Sequence, residues 1–97
     1  MALELKWTKT ADRDLYKMVE FLETTSSPSK LPLFLDRVFW TLELLLEFPE
    51  MGILESAEKS IRSYRITQNC RVFYRIETPQ LVLPAFLDPR SNRKFPN

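Results

Sequence analysis

Apolar and polar side chains alternate along residues 61–76, IRSYRITQNCRVFYRI. Ile61–Thr67 and Arg71–Ile76 are two β-branched and aromatic runs, separated by Gln68-Asn69-Cys70. Two such runs across a short polar break predict a β-hairpin. Loop length decides its register. A two-residue turn at Gln68-Asn69 mixes Tyr64 and Ile66 with Arg71 and Arg75 on one face. A three-residue loop instead gathers Tyr64, Ile66, Val72, Tyr74 and Ile76 on one face, and Arg65, Arg71, Arg75 and Phe73 on the other. A one-residue slip turns every side chain over, so the segregating register is expected.

The rest of the chain follows by the same reading. Leu3, Leu5 and Trp7 alternate with Glu4 and Lys6, which predicts a first strand. Thr8 or Thr10 can cap a helix carrying Ala11, Leu15, Met18, Val19 and Leu22 on one side, ending near Glu23. Thr24–Ser29 is a loop by composition. A longer helix begins around Pro32 and stops at Phe48, before Pro49 and Gly52. Its broad apolar face is Phe34, Leu35, Val38, Phe39, Leu42, Leu45 and Leu46. A second stripe, Leu33, Trp40, Leu44 and Phe48, lies opposite. The sheet is expected to cover the first face. The first helix is expected to take most of the second, leaving some of it exposed for a partner chain. Residues 49–60 show no period and read as a connection. Leu81–Leu87 reads as a last strand, with a local irregularity expected at Pro84. Strand, two helices and three strands make an α+β fold, a two-helix hairpin packed on one face of an antiparallel sheet.

Composition narrows the chemistry. Ninety-seven residues suit one domain with a modest core; residues 88–97, DPRSNRKFPN, are expected to form a polar, basic tail. Cys70 is the one cysteine, and there is no histidine. That disfavours a disulfide framework, the usual catalytic triads and a zinc site, so no metal or other cofactor is expected. Cys70 reads as a small loop or strand residue. The N-terminus lacks a signal-peptide pattern, and no apolar run spans a membrane, so a cytoplasmic location is expected. Net charge is +1, but from Lys59 onward eight basic residues meet only Glu77 and Asp88, a net of +6. Such a local excess suits phosphates or an acidic protein.

The element order, Phe48-Pro49-Glu50-Met51-Gly52 after the long helix, and the IRSYRI, CRVFYRI and LVLPAFLD segments resemble the RelE/ParE superfamily of bacterial toxins. The resemblance spans nearly the whole chain, and the Pro-Glu-Met-Gly turn is closer to the ParE branch. It implies a toxin held inactive by a cognate antitoxin, with a hetero-oligomer of the two as the expected assembly. The ParE branch implies inhibition of DNA gyrase without catalysis. The RelE branch implies ribosome-dependent cleavage of messenger RNA. A third reading is a non-toxic protein of the same fold that serves only as a binding partner.

RNA cleavage through the 2′-hydroxyl needs a base, cations for the phosphorane and a donor for the leaving oxygen. Arg65 and Arg71 could supply cations, with Glu55, Glu58 or Asp88 as the base. The acid is missing: nuclease members often place His or Tyr near the C-terminus, and Asp88-Pro89-Arg90-Ser91-Asn92 offers neither. A target surface would draw on Arg71, Arg65, Arg75 and Arg90, since guanidinium matches phosphate through paired N–H groups. An antitoxin would dock on Trp40, Leu33, Leu44 and Phe48, with Trp40 as anchor.

Overall fold

The computed structural model describes residues 3–90; positions 91–97 of the expected tail lie outside them. Strand β1 (Glu4–Trp7) leads into α1 (Lys9–Thr25) and α2 (Lys30–Glu47). A 3-10 turn (Pro49–Met51) follows, then β2 (Ile53–Ser56), β3 (Ile61–Thr67), β4 (Cys70–Glu77) and β5 (Gln80–Leu87). The sheet order is β1-β5-β4-β3-β2. This is the α+β architecture expected from the sequence, with two additions. The connection over residues 49–60 contains β2, a four-residue edge strand too short to show alternation. The sheet is mixed, because β1 runs parallel to β5 while every other pair is antiparallel. A parallel pair needs a long crossover, which the helices and the β2–β4 meander provide.

The hairpin segregates its faces as the pattern requires, but by another device. Thr67 pairs with Cys70 across a two-residue turn at Gln68-Asn69, whereas Arg65 pairs with Arg71. Ile66 is the extra residue of a bulge, which shifts the register by one and restores the apolar alignment. The expected three-residue loop is therefore replaced by a tight turn plus a bulge. The bulged carbonyl of Ile66 accepts a hydrogen bond from Arg37 Nε of α2 at 3.2 Å. Strand β5 carries the irregularity expected at Pro84. Phe73 pairs with Ala85 and Arg75 with Val82, so Leu83 and Pro84 together oppose Tyr74. A bulge accommodates a residue that has no N–H for the ladder.

Helix α1 is fixed at its start by Thr8. Its hydroxyl accepts from the Ala11 N–H at 3.1 Å and donates to the Leu83 carbonyl at 2.8 Å, capping the helix and tying it to β5. One turn on, buried Asp14 accepts from the Phe86 N–H at 3.1 Å, on a stretch of β5 beyond the end of β1. The helix continues two residues past Glu23, and the Thr24 and Thr25 hydroxyls donate back to the Phe21 carbonyl at 3.0 and 2.6 Å. Between helices and sheet lies the main core, including Ala11, Leu15, Val38, Leu42, Leu45, Val72, Tyr74, Leu83 and Phe86. Trp7 stacks on Phe86 with centroids 5.5 Å apart, extending the core toward the β1 edge.

Tyr74 is fully buried and projects from β4 toward the end of α2. Its hydroxyl donates to the Pro49 carbonyl at 2.7 Å and accepts from the Gly52 N–H at 2.9 Å. Arg62 adds a bond to the Gly52 carbonyl at 3.0 Å. Gly52 has ordinary extended backbone, so it is needed for proximity, not for an unusual φ. A Cβ there would collide with the Tyr74 hydroxyl and lie 2.7 Å from the Ser63 carbonyl oxygen. Gly52→Ala should therefore destabilise the fold by about 1–3 kcal/mol through overpacking, measured by urea denaturation. Unchanged stability would mean that the turn yields freely.

Candidate functional site

The face of the sheet turned away from the helices carries the arginines. Arg65 and Arg71 are direct cross-strand partners on β3 and β4. Like charges so placed repel. On the same face Ile61, Phe73 and Leu87 form a small apolar cluster. Ser63 is fully buried although it belongs to this outer face. Its hydroxyl accepts from Arg71 Nη1 at 2.8 Å and donates to Glu55 Oε2. A guanidinium can only donate and a carboxylate only accept, so the direction of both bonds is fixed. The chain Arg71–Ser63–Glu55 thus crosses β4, β3 and β2. The bulge between Leu54 and Ser56 sets Glu55 beside Ser63.

The structure brings Arg65, Arg71 and Glu55 together and distributes the other candidates elsewhere. Arg75 shares the outer face but pairs with Glu77 at 2.7 Å. Glu58 is exposed in the turn before β3 and has no hydrogen bond or ion pair among the described residues. Asp88 and Arg90 form an ion pair at 2.8 Å. Hydrogen bonds from Arg90 hold the Asp88 carboxyl below its usual range, and the pairing raises the Arg90 guanidinium. This pair lines a cleft of about 540 Å3 on the helix side, walled by Met18, Phe21, Leu22 and Phe34. Asp88 therefore faces a different surface from the Arg65–Arg71 pair. Among the described residues, no group of three or more His, Cys, Asp or Glu is placed to hold a metal ion.

Ser63 is the functional candidate that the sequence reading passed over. A serine within an alternating strand looks like an ordinary exposed position. Only the strand neighbours, Glu55 and Arg71, show that it is covered and paired. The two tyrosines of the hairpin face inward: Tyr74 is buried and Tyr64 packs partly buried against the main core.

The second stripe of α2 is largely uncovered. Leu33, Trp40 and Phe48 are 67%, 58% and 56% exposed, with Leu44 half-buried. The expectation that α1 would cover most of this stripe is corrected: α1 lies over β5, turning Ala11 and Leu15 into the core and binding the β5 backbone through Asp14. Conversely, Phe39, assigned to the core face, is about half exposed and meets Trp7 at a centroid distance of 6.4 Å.

A family model described as the ParE toxin of the type II toxin–antitoxin system parDE matches residues 5–88. No curated protein sequence matches the chain. The fold is similar to several solved structures. A chromosomal ParDE toxin–antitoxin system from P. aeruginosa aligns with TM-score 0.74 at 16% identity, over 90% of this chain and 96% of that one. The toxin–antitoxin complex RelBE2 from Mycobacterium tuberculosis aligns with TM-score 0.60 at 23% identity, over 91% and 99%. A YoeB/ParE toxin from Agrobacterium tumefaciens gives TM-score 0.60 at 18% identity, over 89% and 98%.

Cys70 is buried, and burial, helped by the Asp88 charge, pushes its thiol up to about 12. Desolvation disfavours the thiolate. Because the folded pKa lies above the unfolded value near 9, the group's contribution to stability is complete below pH 9. It is lost as pH rises toward 12, with a slope of about 1.4 kcal/mol per unit. Urea titrations between pH 9 and 11 should show Cys70→Ala losing stability less steeply than the parent chain. Equal slopes would mean that the thiol is solvated in the folded state.

Proposed function

We propose that this chain, which belongs to the ParE toxin family of type II toxin–antitoxin systems, is a growth-inhibiting toxin that acts on DNA gyrase without catalysis. The observation that carries this reading is the match to the ParE family model over residues 5–88. The outer sheet face agrees with it. Cleavage of RNA needs a group to protonate the leaving oxygen. Among the described residues that face offers arginines and a hydrogen-bonded carboxylate, while Tyr64 and Tyr74 pack on the opposite side. The target surface is Arg65 and Arg71, with Arg75 at its periphery; Arg90, paired with Asp88 at the helix-side cleft, lies apart from it.

A second reading has one observation in its favour. Glu55 stands beside Arg71 through Ser63, so a possible base and a possible phosphate-binding cation share one site. That arrangement fits a ribosome-dependent endoribonuclease. In either case a cognate antitoxin is the neutralising partner, and the solved relatives include toxin–antitoxin assemblies. The exposed Leu33, Trp40 and Phe48 suit an amphipathic helix that orders on binding, with the aromatic side chains as anchors. Action on gyrase or ribosomes places the protein in the cytoplasm; among the described residues no helix is long and apolar enough to cross a membrane.

Expression without antitoxin should arrest growth, and the purified chain should trap cleaved DNA on gyrase. Cleavage of messenger RNA only with translating ribosomes would replace the gyrase reading with the nuclease one. Absence of growth arrest at verified folded expression would leave the binding-partner reading. Arg71→Ala should abolish activity and leave the chain folded, at a stability cost of about 0.5–1.5 kcal/mol for the lost hydrogen bond to Ser63. Full toxicity in that variant would remove Arg71 from the site. Trp40→Ala should weaken antitoxin binding by about 2 kcal/mol or more and leave the free toxin folded. Calorimetric titration and thermal melting of one variant read both quantities, and unaltered affinity would move the antitoxin elsewhere.

A further inference from the structure

We propose that Ser63 and Glu55 are positioning residues that hold Arg71, with Arg65 opposite, as a seat for one phosphodiester group. The proposal rests on the outer sheet face being the target surface, but the seat itself can be tested without any target protein.

Three observations lead to it. Arg65 and Arg71 are cross-strand partners, and among the described residues neither forms an ion pair. Their mutual repulsion is relieved by an anion between them. Ser63 is buried on the outer face, yet both capacities of its hydroxyl are used, accepting from Arg71 and donating to Glu55. The bond occupies one N–H of Arg71 and leaves the rest of a planar fork oriented. Glu55 is thus joined to Arg71 through the hydroxyl, at the end of the chain rather than between the two arginines.

Orientation matters because a free arginine loses rotamer freedom when it binds. Holding it beforehand removes part of that cost, about 0.5–1.5 kcal/mol for a long side chain, equivalent to roughly three- to tenfold in affinity. The four lone pairs of a carboxylate lie in one plane, so it serves two guanidiniums best when both are coplanar with it, which side chains on adjacent strands need not be. A phosphodiester has two non-bridging oxygens and two ester oxygens, enough acceptors for both.

The probe is dimethyl phosphate, titrated into the full chain while the arginine Nε–H signals are followed by NMR. Acetate, of equal charge, is the carboxylate control. The Arg71 and Arg65 signals should respond together and saturate at lower dimethyl phosphate than acetate. The decisive comparison is Glu55→Gln against Glu55→Ala. Both remove the same charge, but only glutamine can still accept from the Ser63 hydroxyl. Glu55 is exposed, so neither variant threatens the fold. Glu55→Gln should bind dimethyl phosphate roughly three- to tenfold more tightly than Glu55→Ala. Ser63→Ala should erase that difference when combined with each. Equal affinity of the two Glu55 variants would overturn the positioning role. Preference for acetate would overturn the phosphodiester assignment and point to an acidic protein surface. If the seat binds as stated while gyrase is unaffected, the gyrase reading fails and the seat stands.

Discussion

The hydroxyl of Tyr74 is the joint on which the sheet and the second helix meet. It is a single oxygen bonded to both ends of the Pro49–Gly52 turn, inside a core where an unpaired polar group costs about 1–3 kcal/mol. The bond to the Gly52 N–H holds the backbone against β3, where only a residue without a side chain fits. Strand β2 begins at the next residue. Its pairing with β3, bulge included, determines where Glu55 falls. The arrangement on the outer face is therefore inherited from a contact on the inner one. Burial raises the pKa of the Tyr74 phenol, with the Gly52 bond opposing that shift; the neutral form, which burial favours, is the one that donates to Pro49.

Much of this fold can be read in the sequence because alternation and helical spacing are local signals. Tyr64, Ile66, Val72 and Tyr74 belong inside and Arg65, Arg71 and Arg75 outside, whatever the turn. The means of achieving it is not local. A bulge at Ile66 depends on Arg37 being available from α2 to satisfy the displaced carbonyl, and no pattern within the hairpin announces that. Strand β2 was illegible for a related reason: four residues at an edge, with Ile53 and Leu54 both exposed, carry no face preference to detect. Pro84 was legible as an irregularity, since a missing N–H is a property of the residue itself.

The candidate site divides along the same line. That Arg65 and Arg71 share a face follows from hairpin parity; their direct pairing does not, because it comes from the bulge at Ile66. The union of Arg71, Ser63 and Glu55 spans three strands, one of them the edge strand that pattern reading missed. Asp88 and Arg90 lie close in sequence to the last strand, yet they line the helix-side cleft. The second stripe of α2 was legible as apolar. Whether α1 would cover it depended on Asp14, a carboxylate on the inner side of α1 that binds the β5 backbone.

The bulge at Ile66 also limits how the chain can change length over evolutionary time. Alternation in the hairpin behaves like a reading frame of two. With one extra residue in β3 and a two-residue turn, the frame of β4 agrees with that of β3. Deleting one residue there, without losing the bulge, would turn Arg71, Phe73 and Arg75 toward the core in place of Val72 and Tyr74. An insertion would do the same unless a second bulge formed. Lineages descended from this chain should therefore vary the tip of the hairpin in pairs of residues, or by trading a turn residue against the bulge.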